Sequence, residues 1–183
     1  MSHRLFVALR PPPEVRERLL SVMAGIEGAR WQSDAQLHLT LAFLGAQDGD
    51  KAEAVAEALH RITAPPLDLS LGDFGTFDAE RPGMTGALWI GVKPAPPLSA
   101  LAAAIRRICA RVGVETERRK FVPHITLARF GGAGAFREQI APWLRSVGAP
   151  PAQWRETRFH LAESFLGHGG AHYESIASYR LQD

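Results

Sequence analysis

The sequence predicts an α+β fold: one bilobal unit over residues 1–183, duplicated about a pseudo-two-fold axis, with two antiparallel-rich sheets facing a central cleft and helices outside. Three observations carry this. The octet HLTLAFLG, starting at His38, returns 86 residues later as HITLARFG, starting at His124, with five of eight positions identical. Helical and strand patterns follow a similar order in the two halves. The 183 residues suit two intimate lobes of about 90 residues sharing a core better than two independent domains. The lobes fall near 1–94 and 95–183, with terminal strands that could be exchanged between them.

Residues 5–9 are an apolar run and read as the first strand. PPPEVRERLLSVMAGIEG then sets Val15, Leu19, Leu20, Met23 and Ile26 at helical spacing behind a proline cluster, which predicts a helix. Trp31 leads into the first octet, a strand closed by Gly45, and KAEAVAEALHRI from Lys51 is a second amphipathic helix. LDLSLGDFGTF from Leu67 and ALWIGV from Ala87 read as strands joined by a turn at ERPGM. The theme then repeats. PPLSALAAAIRRICARV is a helix, FVPHITLARF a strand, and AFREQIAPWLRSV a helix interrupted or initiated near Pro142. WRETRFHLAESFL and HYESIASYRL close the chain as two strands joined by GHGGA. Each half is helix, octet strand, helix, strand, strand, with the N-terminal strand as an extra or swapped member.

A 46% hydrophobic and 22% charged composition is ordinary for a globular protein and gives no sign of disorder. Net charge is +2, and the sequence pI near 9.0 permits a polyanionic partner without demanding one. Cys109 is the single cysteine, so no internal disulfide forms, and its expected place is the buried side of a helix. The N-terminus reads as a strand and not as a signal peptide, and no stretch reaches the roughly 18 apolar residues of a membrane span. The expectations are a cytoplasmic location and a monomer.

A strand sends residues i and i+2 to one face, so each octet sets an imidazole beside a hydroxyl: His38 with Thr40, and His124 with Thr126. The bland alternative makes the octets equivalent core strands with edge-exposed histidines. A core, however, has no use for histidine at the same register twice. Two matched copies imply a common site on the axis relating the halves, where all four residues meet. Imidazole titrates near neutrality, so a pair flanking a substrate supplies a general base and a general acid together. That suits in-line displacement at phosphorus, with the hydroxyls holding non-bridging oxygens and Arg129 adding charge. Strict alternation aims Arg129 at the opposite face, so a bulge or strand end must re-aim it. HExxH, GxSxG, P-loop and cysteine-cluster signatures are missing from the sequence. His168 and His172, with His160 nearby, have metal-like spacing, but Gly169 and Gly170 favour a solvated hairpin loop over a metal site. His3 and His60 have no recognisable context.

The two His-x-Thr-Leu elements, with FLG after the first and PHITLAR around the second, resemble the two-histidine phosphoesterase superfamily, in particular its bacterial RNA 2′,3′-cyclic phosphodiesterase (LigT-like, 2′-5′ RNA ligase) branch. RLFVAL, GDFGTF, ALWIGV and SFLGHGGAHYESIASYRL extend the resemblance over nearly the whole chain. It implies a bilobal fold, a site that needs no metal or cofactor, and opening of a 2′,3′-cyclic phosphate on RNA or a nucleotide to a 2′-phosphate, with 2′-5′ RNA joining as the reverse chemistry. It makes His38 the acid that protonates the departing 3′ oxygen and His124 the base that activates water, with Thr40, Thr126 and Arg129 on the phosphate. Stacking is a common way to hold an unpaired base, and Phe43, Phe6, Trp31 and Phe130 lie in or near the strands expected to border the cleft. Phe43 is the candidate substrate contact among them, although parity sets it opposite His38 as a packed ring. Arg118, Arg119 and Lys120 either guide an RNA strand or form a plain solvated run. A nucleotide- or RNA-binding module using the same cleft without turnover is the alternative function.

Overall fold

The octets and their neighbours form one curled antiparallel sheet in a computed structural model that describes residues 2–77, 85–93, 95–117, 119–131, 134–167 and 170–182. The expected turn at ERPGM falls outside those residues. The first half of the chain supplies strand β1 (Ser2–Leu9), helix α1 (Pro13–Leu20), the short β2 (Arg30–Trp31), the octet strand β3 (Leu39–Asp48), helix α2 (Gly49–Leu59), β4 (Leu67–Phe77) and β5 (Thr85–Val92). The second half supplies α3 (Pro96–Arg111), the octet strand β6 (His124–Gly131), α4 (Gly134–Ser146), β7 (Gln153–Glu156), β8 (Arg158–Gly167) and β9 (Gly170–Arg180).

Three elements differ from their expected form, each for a local reason. Helix α1 stops at Leu20, where tighter turns take over, Val22 N–H donating to Leu19 O and Met23 N–H to Leu20 O at 3.2 Å, and Gly25 and Gly28 then redirect the chain with φ of 83° and 73°. Met23 and Ile26 still reach the interior from that loop. Helix α4 runs through Pro142 without a break, anchored by Ile140 and Trp143 against Leu88, Ala128 and Phe130. The stretch expected as one strand, WRETRFHLAESFL, is two: β7 pairs with β4, and beyond Thr157 the chain crosses over to pair β8 with β1. The buried Glu156 carboxylate holds this crossing by accepting the backbone N–H groups of Thr157 and Arg158 at 3.1 and 3.2 Å.

Strand order is β7-β4-β5-β6-β3-β1-β8-β9, with β2 also paired to β6. Read along this path, two four-stranded groups meet at the middle through one residue pair, Leu39 with Ile125. Each group takes two strands from each half of the sequence. The spatial repeat is strand, helix, octet strand, helix: β1-α1-β3-α2 and β5-α3-β6-α4. The N-terminal strand is therefore the counterpart of β5. The main core lies on the helix side of both groups and contains Leu5, Val7, Leu39, Leu41, Ile90, Ile125 and Leu127 with Val55, Leu101 and Ile105 of the helices. Cys109 is fully buried there in α3, its thiol pushed up to about 11 by burial. No helix among the described residues is long and apolar enough to cross a membrane.

Candidate active site

The face opposite the helices carries the polar octet residues, and one local irregularity, present twice, decides which. Opposite Val7 and Ala8 of β1 stand Ala42 and Thr40, which leaves Leu41 unpaired. Opposite Leu88 and Trp89 of β5 stand Ala128 and Thr126, which leaves Leu127 unpaired. Each is a β-bulge at the third residue after the octet histidine, and a bulge reverses side-chain parity beyond it. Leu39, Leu41, Ala42 and Leu44 thus all pack toward the core, as do Ile125, Leu127, Ala128 and Phe130. His38, Thr40 and Phe43 share the other face with His124, Thr126 and Arg129. The bulge re-aims Arg129 as required. It also overturns the parity reading of Phe43, whose ring is 51% exposed on the histidine side, 6.2 Å from Phe6.

Because Leu39 pairs with Ile125 in antiparallel sense, His38 lies toward Thr126 and His124 toward Thr40. The two histidines stand on a diagonal of about 8 Å between Cα atoms, from strand rise and spacing. Each ring is fixed in the same way. His38 Nδ1–H donates to the Gln36 carbonyl at 2.6 Å, and His124 Nδ1–H to the Val122 carbonyl at 2.7 Å. A carbonyl only accepts, so each neutral ring keeps its proton on Nδ1 and presents the Nε2 lone pair outward. Gln36 is itself clamped. It closes a 3₁₀ turn, Asp34–Gln36, through a reciprocal cap with Ser33, and its side chain donates to the Ala171 carbonyl of β9. Among the described residues neither threonine hydroxyl has a partner, which leaves both for an incoming oxygen.

Aromatic rings wall both histidines. Phe6 and Tyr173 lie 4.9 and 5.0 Å from His38, and Phe77 and Trp89 lie 4.9 and 5.7 Å from His124, centroid to centroid. Phe77, Trp89 and Tyr173 escaped the sequence reading, because strand order brings them in from afar. The glycines of GDFGTF were the available signal, since a strand glycine often marks close approach by a neighbour. Gly75 faces Trp89 across the β4–β5 ladder, and a Cβ there would sit 2.2 Å from the indole. Gly75→Ala is therefore expected to displace Trp89, release His124 and lower kcat about tenfold, with a red shift in tryptophan fluorescence. Unchanged kinetics and emission would show that the indole does not position the ring.

Burial depresses both imidazoles. It brings His38 down to about 4; the Gln36 carbonyl opposes this, while the charges of Arg129 and His124 add to it. His124 is lowered by burial and by Arg129, against the Val122 carbonyl. Both rings are then neutral at pH 7 in the free protein. Acid–base work by the pair needs one shared proton, so kcat/KM is expected to peak below pH 6.5 and fall toward pH 8. A bound phosphate anion raises both pKa values, so the alkaline limb of kcat lies at higher pH than that of kcat/KM. Coincident limbs would contradict this. Stability has the matching sign: the unfolded chain binds protons that folded His38 refuses, so stability falls as pH drops from about 6.5 toward about 4.

The remaining candidates lie elsewhere. Phe130 is buried beside Trp143 of α4, and Trp31 packs on the same indole at 5.9 Å. Arg119 pairs with Glu117 at 3.1 Å, Lys120 is exposed, and Arg118 lies outside the described residues. His172 meets Glu174 at 3.3 Å, His160 meets Ser175 at 3.3 Å, and His168 is outside the described residues. No metal-sized cluster of three ligating side chains occurs among the described residues. His3 bonds Glu163, and His60 packs on Tyr179.

A curled, two-fold-repeated sheet that presents one His-x-Thr pair from each half defines the class of two-histidine phosphoesterases. The chain belongs to the 2′-5′ RNA ligase superfamily, whose family model matches residues 7–167. It is 37% identical over 184 residues to the RNA 2′,3′-cyclic phosphodiesterase of Escherichia coli strain K12, covering 97% of this chain and 96% of that one. The enzyme of that name from Archaeoglobus fulgidus is 28% identical over 177 residues, covering 94% and 97%. Among solved structures, E. coli LigT complexed with 3′-AMP superposes with a TM-score of 0.80 at 29% identity over the full length of both chains. A structure described as a phosphoesterase gives 0.82 at 30%, again over both full lengths.

Proposed function

We propose that this protein hydrolyses the 2′,3′-cyclic phosphate of an RNA end or nucleotide to a 2′-phosphate, using His38 and His124 as a general acid–base pair. The observation that carries the reading is the matched pair of Nδ1-anchored imidazoles on one face, each beside a threonine hydroxyl. Water attacks phosphorus opposite the 3′ oxygen. His124 Nε2 takes the water proton, His38 Nε2 gives a proton to the departing 3′ oxygen, and exchange with solvent resets the pair. Thr40, Thr126 and Arg129 hold the non-bridging oxygens, and Phe43 offers its exposed ring to the terminal base.

Burial holds both imidazoles below their ordinary value in the free protein. Bound phosphate acts the other way. In the drier surroundings its charge is felt more strongly, so His38 gains more proton affinity on binding and serves as the acid. A 5′-hydroxyl in the place of water gives 2′-5′ joining by the same steps, although water at its usual concentration favours hydrolysis. Strand exchange between the two groups supports residues 1–183 as one bilobal working unit. The test is product analysis on a short RNA ending in a 2′,3′-cyclic phosphate, in EDTA. A 2′-phosphate product supports the reading. Tight binding of adenosine 2′-phosphate with no turnover of the cyclic ester would instead make the cleft a binding module.

A further inference from the structure

Residues directly opposite each other across a sheet share a face, and Thr40, Ala8, His160 and Ser178 are aligned in this way across β3, β1, β8 and β9. Two residues further along each strand, the same face carries Arg10, Arg158 and Arg180. Arg158 and Arg180 are directly paired across the ladder and both are exposed. Like charges at paired positions repel, yet among the described residues neither has a carboxylate partner. Arg158 Nε–H donates to the Ser178 hydroxyl at 2.8 Å. Arg10 shares Asp34 with Arg16 and stands at the end of β1, beside the segment that carries His38. The charges of Arg158 and Arg10 both bear on His160 between them. Three guanidinium positions therefore run about 10 Å from Arg10, beside the His38 segment, to Arg180 on the outer strand. At the sheet edge Arg158, Ser178 and Arg180 also border a cleft of about 400 Å³ that Leu59, Ile62 and Tyr179 line from the helix side.

A row of guanidiniums that leads away from a phosphate-handling site, its outer two without a carboxylate partner among the described residues, fits a chain of phosphates. We propose that Arg10, Arg158 and Arg180 form a track for the backbone phosphates of single-stranded RNA on the 5′ side of its cyclic end, which makes an oligonucleotide a better substrate than a mononucleotide. This rests on the functional reading above and names its substrate class. The RNA body crosses β1, β8 and β9.

The test compares wild type with Arg158→Ala/Arg180→Ala and Arg158→Lys/Arg180→Lys on two substrates, cytidine 2′,3′-cyclic phosphate and an RNA octamer with the same end. The double alanine variant is expected to raise KM for the octamer about tenfold at low salt, while mononucleotide kinetics, which also report folding, stay within about twofold. The log–log salt slope for the octamer flattens by about 0.7 per arginine removed, and the lysine variant restores most of it. Equal changes on both substrates, or none on the octamer, would overturn the track. Anisotropy with an octamer ending in a 2′-phosphate reads the same contacts without turnover. If wild type hydrolyses neither substrate, the functional reading fails, while loss of octamer binding in the alanine variant still supports the track and unchanged binding removes it.

Discussion

Alanine at His38 or at His124 is expected to lower kcat on a nucleoside 2′,3′-cyclic phosphate by about 10²- to 10⁴-fold, with a much smaller effect on KM. Each ring is locked by an i−2 carbonyl and walled by aromatics, so its removal takes away a proton carrier and leaves the strands in place. The double variant should be little worse than either single one, since a half-equipped pair already lacks one of two coupled proton transfers. The roles separate with a substrate whose 3′ leaving atom is sulfur, which departs without a proton. That substrate is expected to rescue His38→Ala and not His124→Ala. Rescue of His124→Ala alone would exchange the roles, and near-wild-type turnover by the double variant would remove both rings from the chemistry.

Arg129→Ala should rank next, with a loss in kcat of about 10²- to 10³-fold, the size found on removing one donor to a developing oxyanion. The bulge at Leu127 puts this guanidinium on the histidine face, and its charge lowers the proton affinity of both rings. The variant should therefore also shift both limbs of the pH profile upward, which a merely structural change would not do. Lysine restores the charge but not the planar fork, so recovery should be partial. Phe43 occupies the equivalent octet position and supplies the contrast: Phe43→Ala is expected to raise KM about tenfold through lost stacking while leaving kcat nearly intact. Equal kcat losses at the two positions would deny that one handles the phosphate and the other the base.

The doubled octet was readable because strand parity ties His38 to Thr40 and His124 to Thr126 within three residues. Beyond the threonines, parity misled. The extra residue of each bulge is an ordinary leucine packed into the core, so Phe43 was read as facing away from His38. One trace was present in the second octet, where Leu127-Ala128 is an adjacent apolar pair inside an otherwise alternating strand, as two neighbours on one face require. The helical spacing runs past the true end of α1, since Met23 and Ile26 keep it although the helix ends at Leu20 and Gly25 turns the chain between them. The crossing at Thr157 and the walls from Phe77, Trp89 and Tyr173 depend on strand order. Contacts between distant strands leave no local pattern to read.

The central claim, that both imidazoles address one phosphorus, is tested most directly by ¹⁵N NMR of the histidine rings during titration with adenosine 2′-phosphate. The expected result is that His38 and His124 shift at Nε2 in step with one saturation curve, that both pKa values rise, and that the two Nδ1 signals stay as carbonyl-bound N–H. A response confined to one ring would contradict it.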